Sequence, residues 1–235
     1  MKVFLMMGQS NMAGRGSLSE VEPIHDRRCY MLRNGRWQRM CEPINVDRPI
    51  ILDNPLATFS GVNPAASFAA AYAEAYNEEI GLVPCADGGT SLEDWKIDGQ
   101  LFLHAYYQAK LAMNVGELTG ILWHQGEAES SSAELSSTYV PRFTAIMDEF
   151  RSRLGVKLPI VVGELGYFLA DRPKPMPYWQ DVNKALHELA QRPDIAIASA
   201  EGLADRGDAL HFNAAAQREF GKRYFAAYQT LKGNN

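Results

Sequence analysis

Lys2-Val3-Phe4-Leu5-Met6-Met7-Gly8-Gln9-Ser10-Asn11-Met12-Ala13-Gly14-Arg15-Gly16 opens the chain, and its reading decides the fold. Residues 3–7 are apolar without alternation, as expected of a strand covered on both faces in a parallel sheet. Gly8 ends the run, and a polar, small-residue turn follows it. The same pattern recurs at residues 81–86, 118–124, 158–164 and 194–200, each a short run rich in Val, Ile and Leu. Helical segments separate them. Asn63-Pro64 combines a capping side chain with proline at the first helical position and opens a helix over 65–79, with Gly81 closing it. In 138–154, Tyr139, Phe143, Ile146, Met147, Phe150 and Leu154 form a stripe of 3.6-residue period. Residues 101–114 and 178–191 read as further helices. Asn213 caps a last one, with Phe220, Tyr224, Ala227, Tyr228 and Leu231 on one face. Alternating strands and helices with short links predict right-handed crossovers, hence an α/β three-layer α/β/α sandwich around a five-stranded parallel sheet. One domain over 1–235 is expected.

The composition agrees. The 235 residues are 46% hydrophobic and 22% charged, with net charge −5, which excludes disordered, collagen-like and coiled-coil chains. No block of Lys and Arg invites nucleic acid or an anionic membrane, and no apolar run reaches the roughly 18 residues of a membrane helix. The five-residue apolar run at the start is too short for a signal peptide and lacks a cleavage site. The expectation is a chain that begins in its folded domain, cytoplasmic, or secreted after a leader was removed. Three cysteines, Cys29, Cys41 and Cys85, do not make a disulfide scaffold. Residues 17–62 break the α/β pattern, apart from a hairpin of 29–33 and 36–40 joined at Asn34-Gly35. An irregular stretch of that length inside a compact domain is usually functional.

Ligands of open parallel sheets bind beyond the carboxyl ends of the strands. The first strand leads into Gln9-Ser10-Asn11, the second into Asp87-Gly88-Gly89-Thr90-Ser91, the third into Gln125-Gly126-Glu127, and the fifth toward Asp208 and His211. Ser10 is either a helix cap or a nucleophile on a β-to-α turn. Asp208 lies three residues before His211, so its carboxylate can reach Nδ1 while Nε2 faces Ser10. Gln125 can donate an amide N–H to an oxyanion, Gly88 and Gly89 let a backbone N–H approach a carbonyl, and Glu127 is a second acid or a cap.

The blocks 8–16, 88–91, 123–127 and 208–212 occur in this order across nearly the whole chain. With them the chain resembles the SGNH/GDSL hydrolase superfamily, and within it carbohydrate esterase family 6, the acetylxylan esterases, and the related sialate O-acetylesterase domain. The resemblance implies a flavodoxin-like fold and a serine esterase that removes acetyl groups from sugar hydroxyls without a cofactor or metal. Ser10 would be the nucleophile and His211 the base. Asp208 is the default acid, with Glu127 able to share or replace it. The oxyanion hole would comprise the Ser10 N–H, the Gly89 N–H (ahead of Gly88) and the Gln125 side chain. The wider superfamily usually carries Asn where this chain has Gln125, a departure that the H-Q-G-E subfamily shares. Gln9, Asn11 and Arg15 flank the nucleophile as candidate substrate contacts. The implied partner is an acetylated carbohydrate, acetylated xylan or a related sugar, with a 9-O-acetylated sialate as the alternative. A sialate needs a cation for its carboxylate, and Arg15, Arg48 and Arg172 are the candidates.

Two other classes compete. A metal-dependent hydrolase would use His124, Glu127, Asp208 and His211, although H-E-x-x-H and zinc-spaced cysteine pairs are lacking. An idle carbohydrate-binding module would stack sugars on Trp37, Trp95 and Trp179.

Overall fold

The computed structural model describes residues 1–45 and 60–232. Arg48 and part of the long region after Ser17 lie outside the described residues. β1 (Lys2–Gly8) sends Val3, Leu5 and Met7 to one face and Phe4 and Met6 to the other, all fully buried. A strand apolar on both sides must lie inside the sheet, and β1 is central. It is followed by the single turn α1 (Ser10–Ala13), the hairpin β2 (Cys29–Arg33) and β3 (Arg36–Arg39), and α2 (Pro64–Tyr76). Then come β4 (Ile80–Pro84), α3 (Gln100–Ala112), β5 (Glu117–His124), α4 (Ala133–Ser137) and α5 (Tyr139–Leu154). β6 (Ile160–Gly163), α6 (Trp179–Leu189), β7 (Ile195–Ala198) and α7 (Ala214–Lys232) complete the chain.

The strand order is β3-β2-β4-β1-β5-β6-β7. β1, β4, β5, β6 and β7 are parallel, and taken alone they run second-first-third-fourth-fifth, the flavodoxin-like order. The five-stranded expectation is corrected to seven strands among the described residues. The hairpin is not a surface excursion, because β2 pairs in parallel with β4 from Cys29↔Ile80 to Met31↔Leu82. That pairing covers the edge that β4 would otherwise present. The new edge, β3, carries Arg36 and Arg39, charges that discourage further strand pairing. Asn34 and Gly35 both take positive φ, 52° and 72°, as a type I′ turn demands.

α3, α5 and α6 cover one face of the sheet, where Phe102, Phe143, Phe150, Trp95 and Trp123 pack together. α2 and α7 cover the other, with Phe68, Tyr72 and Tyr228 around Phe4 at centroid distances of 4.9–5.4 Å. Asn63 caps α2 as expected, its Oδ1 accepting from Ala65 and Ala66 N–H at 3.0 and 3.4 Å. The close of that helix differs from expectation. Asn77 ends it in the left-handed conformation (φ 51°), and Gly81 lies within β4, where the Trp37 ring fills the space of its missing side chain. Asn213 caps α7 through a 2.8 Å bond from Ala216 N–H.

The three cysteines are free thiols, with Cys29 and Cys85 buried. No helix among the described residues is long and apolar enough to cross a membrane. This arrangement sets the turns after β1, β4 and β5 side by side, at the point where the strand order reverses direction.

Candidate active site

The turn after β1 depends on Gly8. Its φ is +126°, and a Cβ there would lie 2.1 Å from the His124 carbonyl oxygen, so only glycine lets the chain pass the end of β5. Gln9 N–H then donates to that same carbonyl at 2.8 Å. The turn leaves Gln9 in the cap position of α1 and Ser10 as its first residue. Ser10 is therefore not the helix cap. Its hydroxyl lies 3.1 Å from His211 Nε2, and His211 Nδ1 lies 2.7 Å from Asp208 Oδ2.

The His211 side comes from a tight loop before α7. Asp205 Oδ2 accepts Gly207 and Ala209 N–H at 2.9 and 2.6 Å, and Asp208 Oδ1 accepts Leu210 and His211 N–H at 3.0 and 2.8 Å. Two successive Asx turns thus fix both the carboxylate and the imidazole. In the sequence Asp205 reads only as part of a polar pre-helix loop; its D-x-G spacing is the local signal of the first turn. Burial and the Arg15 charge hold the His211 pKa below that of an ordinary histidine, although Asp208 pulls the other way. Burial alone would raise the Asp208 pKa, but its bonds to His211 keep the carboxyl below the usual range.

Asn11, expected to touch substrate, is 1% exposed and braces the site internally. Its Nδ2 donates to Glu127 Oε1 at 2.6 Å and to Leu210 O at 3.2 Å, and its Oδ1 accepts Phe212 N–H at 3.1 Å. The nucleophile turn and the His211 loop are thereby fastened across 201 residues of sequence. Glu127 neither caps a helix nor bonds His211. It is buried, with Oε1 also 3.3 Å from His124 Nε2, and His124 and Asn11 hold its pKa down against the effect of burial. Gln9 likewise turns inward, its Oε1 accepting Gly126 and Ala128 N–H at 3.3 and 3.5 Å.

Gln125 is fully buried and does not turn its amide toward Ser10. Its Nε2 donates to Thr90 O at 3.2 Å and to the Glu129 carboxylate, so both amide hydrogens are engaged away from the site. The backbone provides the open donors. The N–H groups of Ser10, Gly88 and Gly89 bond no acceptor among the described residues. Gly88 sits against the hydroxyl-bearing residue, where an added Cβ would lie 3.6 Å from Ser10 Cβ and 2.4 Å from Arg15 Nη2. Gly89 is in the left-handed region at φ +74°. Arg15 thus lines the site, with Nη1 also on Gly14 O at 2.7 Å. Arg172 bonds Met176 Sδ on another loop.

The competing classes find less in the geometry. No three His, Cys, Asp or Glu side chains converge to hold a metal ion among the described residues. Trp37 packs over Gly81, Trp95 is buried on Trp123, and Trp179 meets Tyr167, so the three indoles share no surface.

Known proteins carry the same arrangement of chain. The profile of a family described as carbohydrate esterase, sialic acid-specific acetylesterase, matches residues 1–230. A protein of Arabidopsis thaliana named as a probable carbohydrate esterase is 27% identical over 247 residues, covering 97% of this chain and 90% of its own. Its solved structure superimposes with a TM-score of 0.85 at 25% identity, over 97% of this chain and 98% of that one. Two further structures share the fold. NanS gives a TM-score of 0.77 at 16% identity over 98% and 97% of the two chains. A carbohydrate acetylesterase from Xanthomonas citri gives 0.69 at 17% identity, over 99% of this chain and 56% of that one. A match over this much of the chain places it in the sialic acid-specific acetylesterase family of carbohydrate esterases, an ester hydrolase with the SGNH/GDSL fold.

Proposed function

We propose that the chain removes O-acetyl groups from a carbohydrate through an acetyl-enzyme on Ser10, with His211 as base and Asp208 as its acid. The observation that carries this reading is the unbroken line from Asp208 Oδ2 through the imidazole to Ser10 Oγ, at 2.7 and 3.1 Å. His211 Nε2 takes the hydroxyl proton as Oγ attacks the acetyl carbonyl. Asp208 holds Nδ1–H and stabilises the imidazolium. The open N–H groups of Ser10 and the Gly88-Gly89 pair receive the developing oxyanion, each such donor being worth about 3–4 kcal/mol in the transition state. The sugar leaves with the proton from His211, and water repeats the sequence on the acetyl-enzyme.

The depressed His211 pKa has a kinetic consequence. The imidazole is a base only when neutral, so kcat/KM rises with pH through the folded pKa and is lost below it. With that pKa lowered by burial and Arg15, the acid limb lies below about 6.5. A pH series with p-nitrophenyl acetate measures it; a rate that does not fall toward acid pH contradicts His211 as the base.

Among sugars, the family description and the Arg15 guanidinium beside Gly88 and Ser10 favour an acetylated acidic sugar such as a 9-O-acetyl sialate. Acetylated xylan is the neutral alternative, supported by the motif likeness to acetylxylan esterases. Acetate release from the two substrates compares them directly, and the sialate is expected to give the higher kcat/KM. A higher value on xylan reverses the preference. No release from either, with p-nitrophenyl acetate still turned over, overturns both sugars.

A further inference from the structure

We infer that Glu129, through Gln125, is a positioning residue that aims the Gly88-Gly89 backbone at the reacting carbonyl. This role rests on the acyl-transfer reading above, and no sequence motif suggests it. Glu129 begins the 3-10 turn Glu129–Ser131 beneath the site and is fully buried. A buried carboxylate needs partners for both oxygens. Here one oxygen accepts Leu92 N–H at 2.6 Å and the other accepts Gln125 Nε2. Gln125 passes the constraint on, because the same nitrogen donates to Thr90 O at 3.2 Å. Arg142 Nη1 lies 3.9 Å from Glu129 Oε1 and offsets its charge.

The supported segment is the one that carries the open donors. Asp87 N–H donates to Gly8 O at 3.0 Å, anchoring the start beside the nucleophile turn. Thr90 is held by Gln125, and its hydroxyl bridges Asp87 O at 2.7 Å and Trp95 Nε1 at 3.2 Å. Leu92 is held by Glu129. Gly88 and Gly89 lie between these anchors, and their own N–H groups have no protein acceptor among the described residues. Two adjacent glycines are the most pliable backbone available, so their direction must be set from outside. Preorganised donors act only when aimed before the charge develops.

The chemistry of position 129 is demanding. It must accept two N–H groups at once, and only a carboxylate does so without presenting a hydrogen. An amide at this place keeps the Leu92 bond but turns an N–H against Gln125 Nε2. Gln125 must then flip, which withdraws the donor from Thr90 O.

The test is Glu129→Gln assayed with p-nitrophenyl acetate alongside Ser10→Ala. The expected result is a fall in kcat of about 10²-fold with KM within a few-fold of wild type. The acid limb of kcat/KM stays in place, because His211 is untouched. A merely structural role predicts instead a lower melting temperature with unchanged kcat per natively folded molecule, and that result overturns the inference. Should Glu129→Gln fail to fold, Glu129→Asp decides. It keeps the charge but retracts the acceptors by one methylene, and the same loss of kcat is expected; wild-type kcat in that folded variant overturns the proposal. Ser10→Ala separates the two levels. Activity surviving that change removes the acyl-transfer reading itself, whereas an inactive Ser10→Ala beside a fully active Glu129→Gln removes only the positioning role.

Discussion

Ser10→Ala is expected to abolish turnover of p-nitrophenyl acetate and of the acetylated sugar while leaving the fold intact. Losses on the order of 10⁶-fold in kcat follow when a serine hydrolase loses its nucleophile. The fold is expected to survive because the Ser10 hydroxyl bonds only His211 Nε2 among the described residues. The change removes one oxygen from a 5% exposed position and leaves Gln9, Asn11 and the α1 backbone in place. Circular dichroism should show wild-type melting within a few degrees, and an organophosphate that labels the wild type should fail to label the variant. Wild-type turnover in the variant would falsify the acyl-enzyme scheme, since no other hydroxyl or thiol bonds His211 among the described residues.

The second large effect separates the two acids. Asp208→Asn should lower kcat by about 10⁴-fold, because an amide facing Nδ1 favours the wrong imidazole tautomer and no longer stabilises the imidazolium. Glu127→Gln should cost far less, roughly tenfold or about 1.4 kcal/mol of the barrier. Glu127 does not touch His211; it acts on the site through Asn11, and a glutamine oxygen can still accept the Asn11 amide. The pH dependence separates them by degree, because both carboxylates raise the proton affinity of His211 and Asp208 does so more strongly. Asp208 adds to the proton affinity of His211, so Asp208→Asn moves any residual acid limb to lower pH. A larger loss from Glu127→Gln than from Asp208→Asn would exchange their roles.

Much of this architecture is readable along the chain. The central strands stand out as apolar runs, and the stripe in residues 139–154 matches α5, because both signals are local. The hairpin is legible from Asn34-Gly35 for the same reason. Its membership of the sheet is not. Cys29 to Met31 pair with Ile80 to Leu82, a partnership between distant segments that leaves no mark in either one. The end of α2 shows the limit from the other direction. Gly81 looks like the stop, yet Asn77 closes the helix first, because its short polar side chain tolerates the left-handed conformation and frees Gly81 for β4.

The site divides along the same line. Ser10, Asp208 and His211 are recognisable as candidates because a strand end, a D-x-x-H spacing and a family resemblance all point at them. Asn11, Gln125 and Glu127 are just as visible as polar residues on the same rim, but their partners are not. Glu129 carries no signal at all, since its role depends on Leu92 and Gln125 meeting it in the packed interior.

What the sequence by itself determined is therefore the layered α/β framework and the rim on which the chemistry would sit, since periodicity, turn residues and motif order are properties of neighbouring positions. Only the tertiary structure decided how that rim is wired. It joined Asp208 rather than Glu127 to His211, turned Asn11 into a brace, and directed Gln125 away from Ser10 toward Thr90 and Glu129. Those choices rest on hydrogen bonds between residues as far as 201 positions apart, such as Ser10 with His211. A buried polar side chain takes whichever partner the packed chain brings within about 3 Å, and that distance exists only once the sheet has assembled.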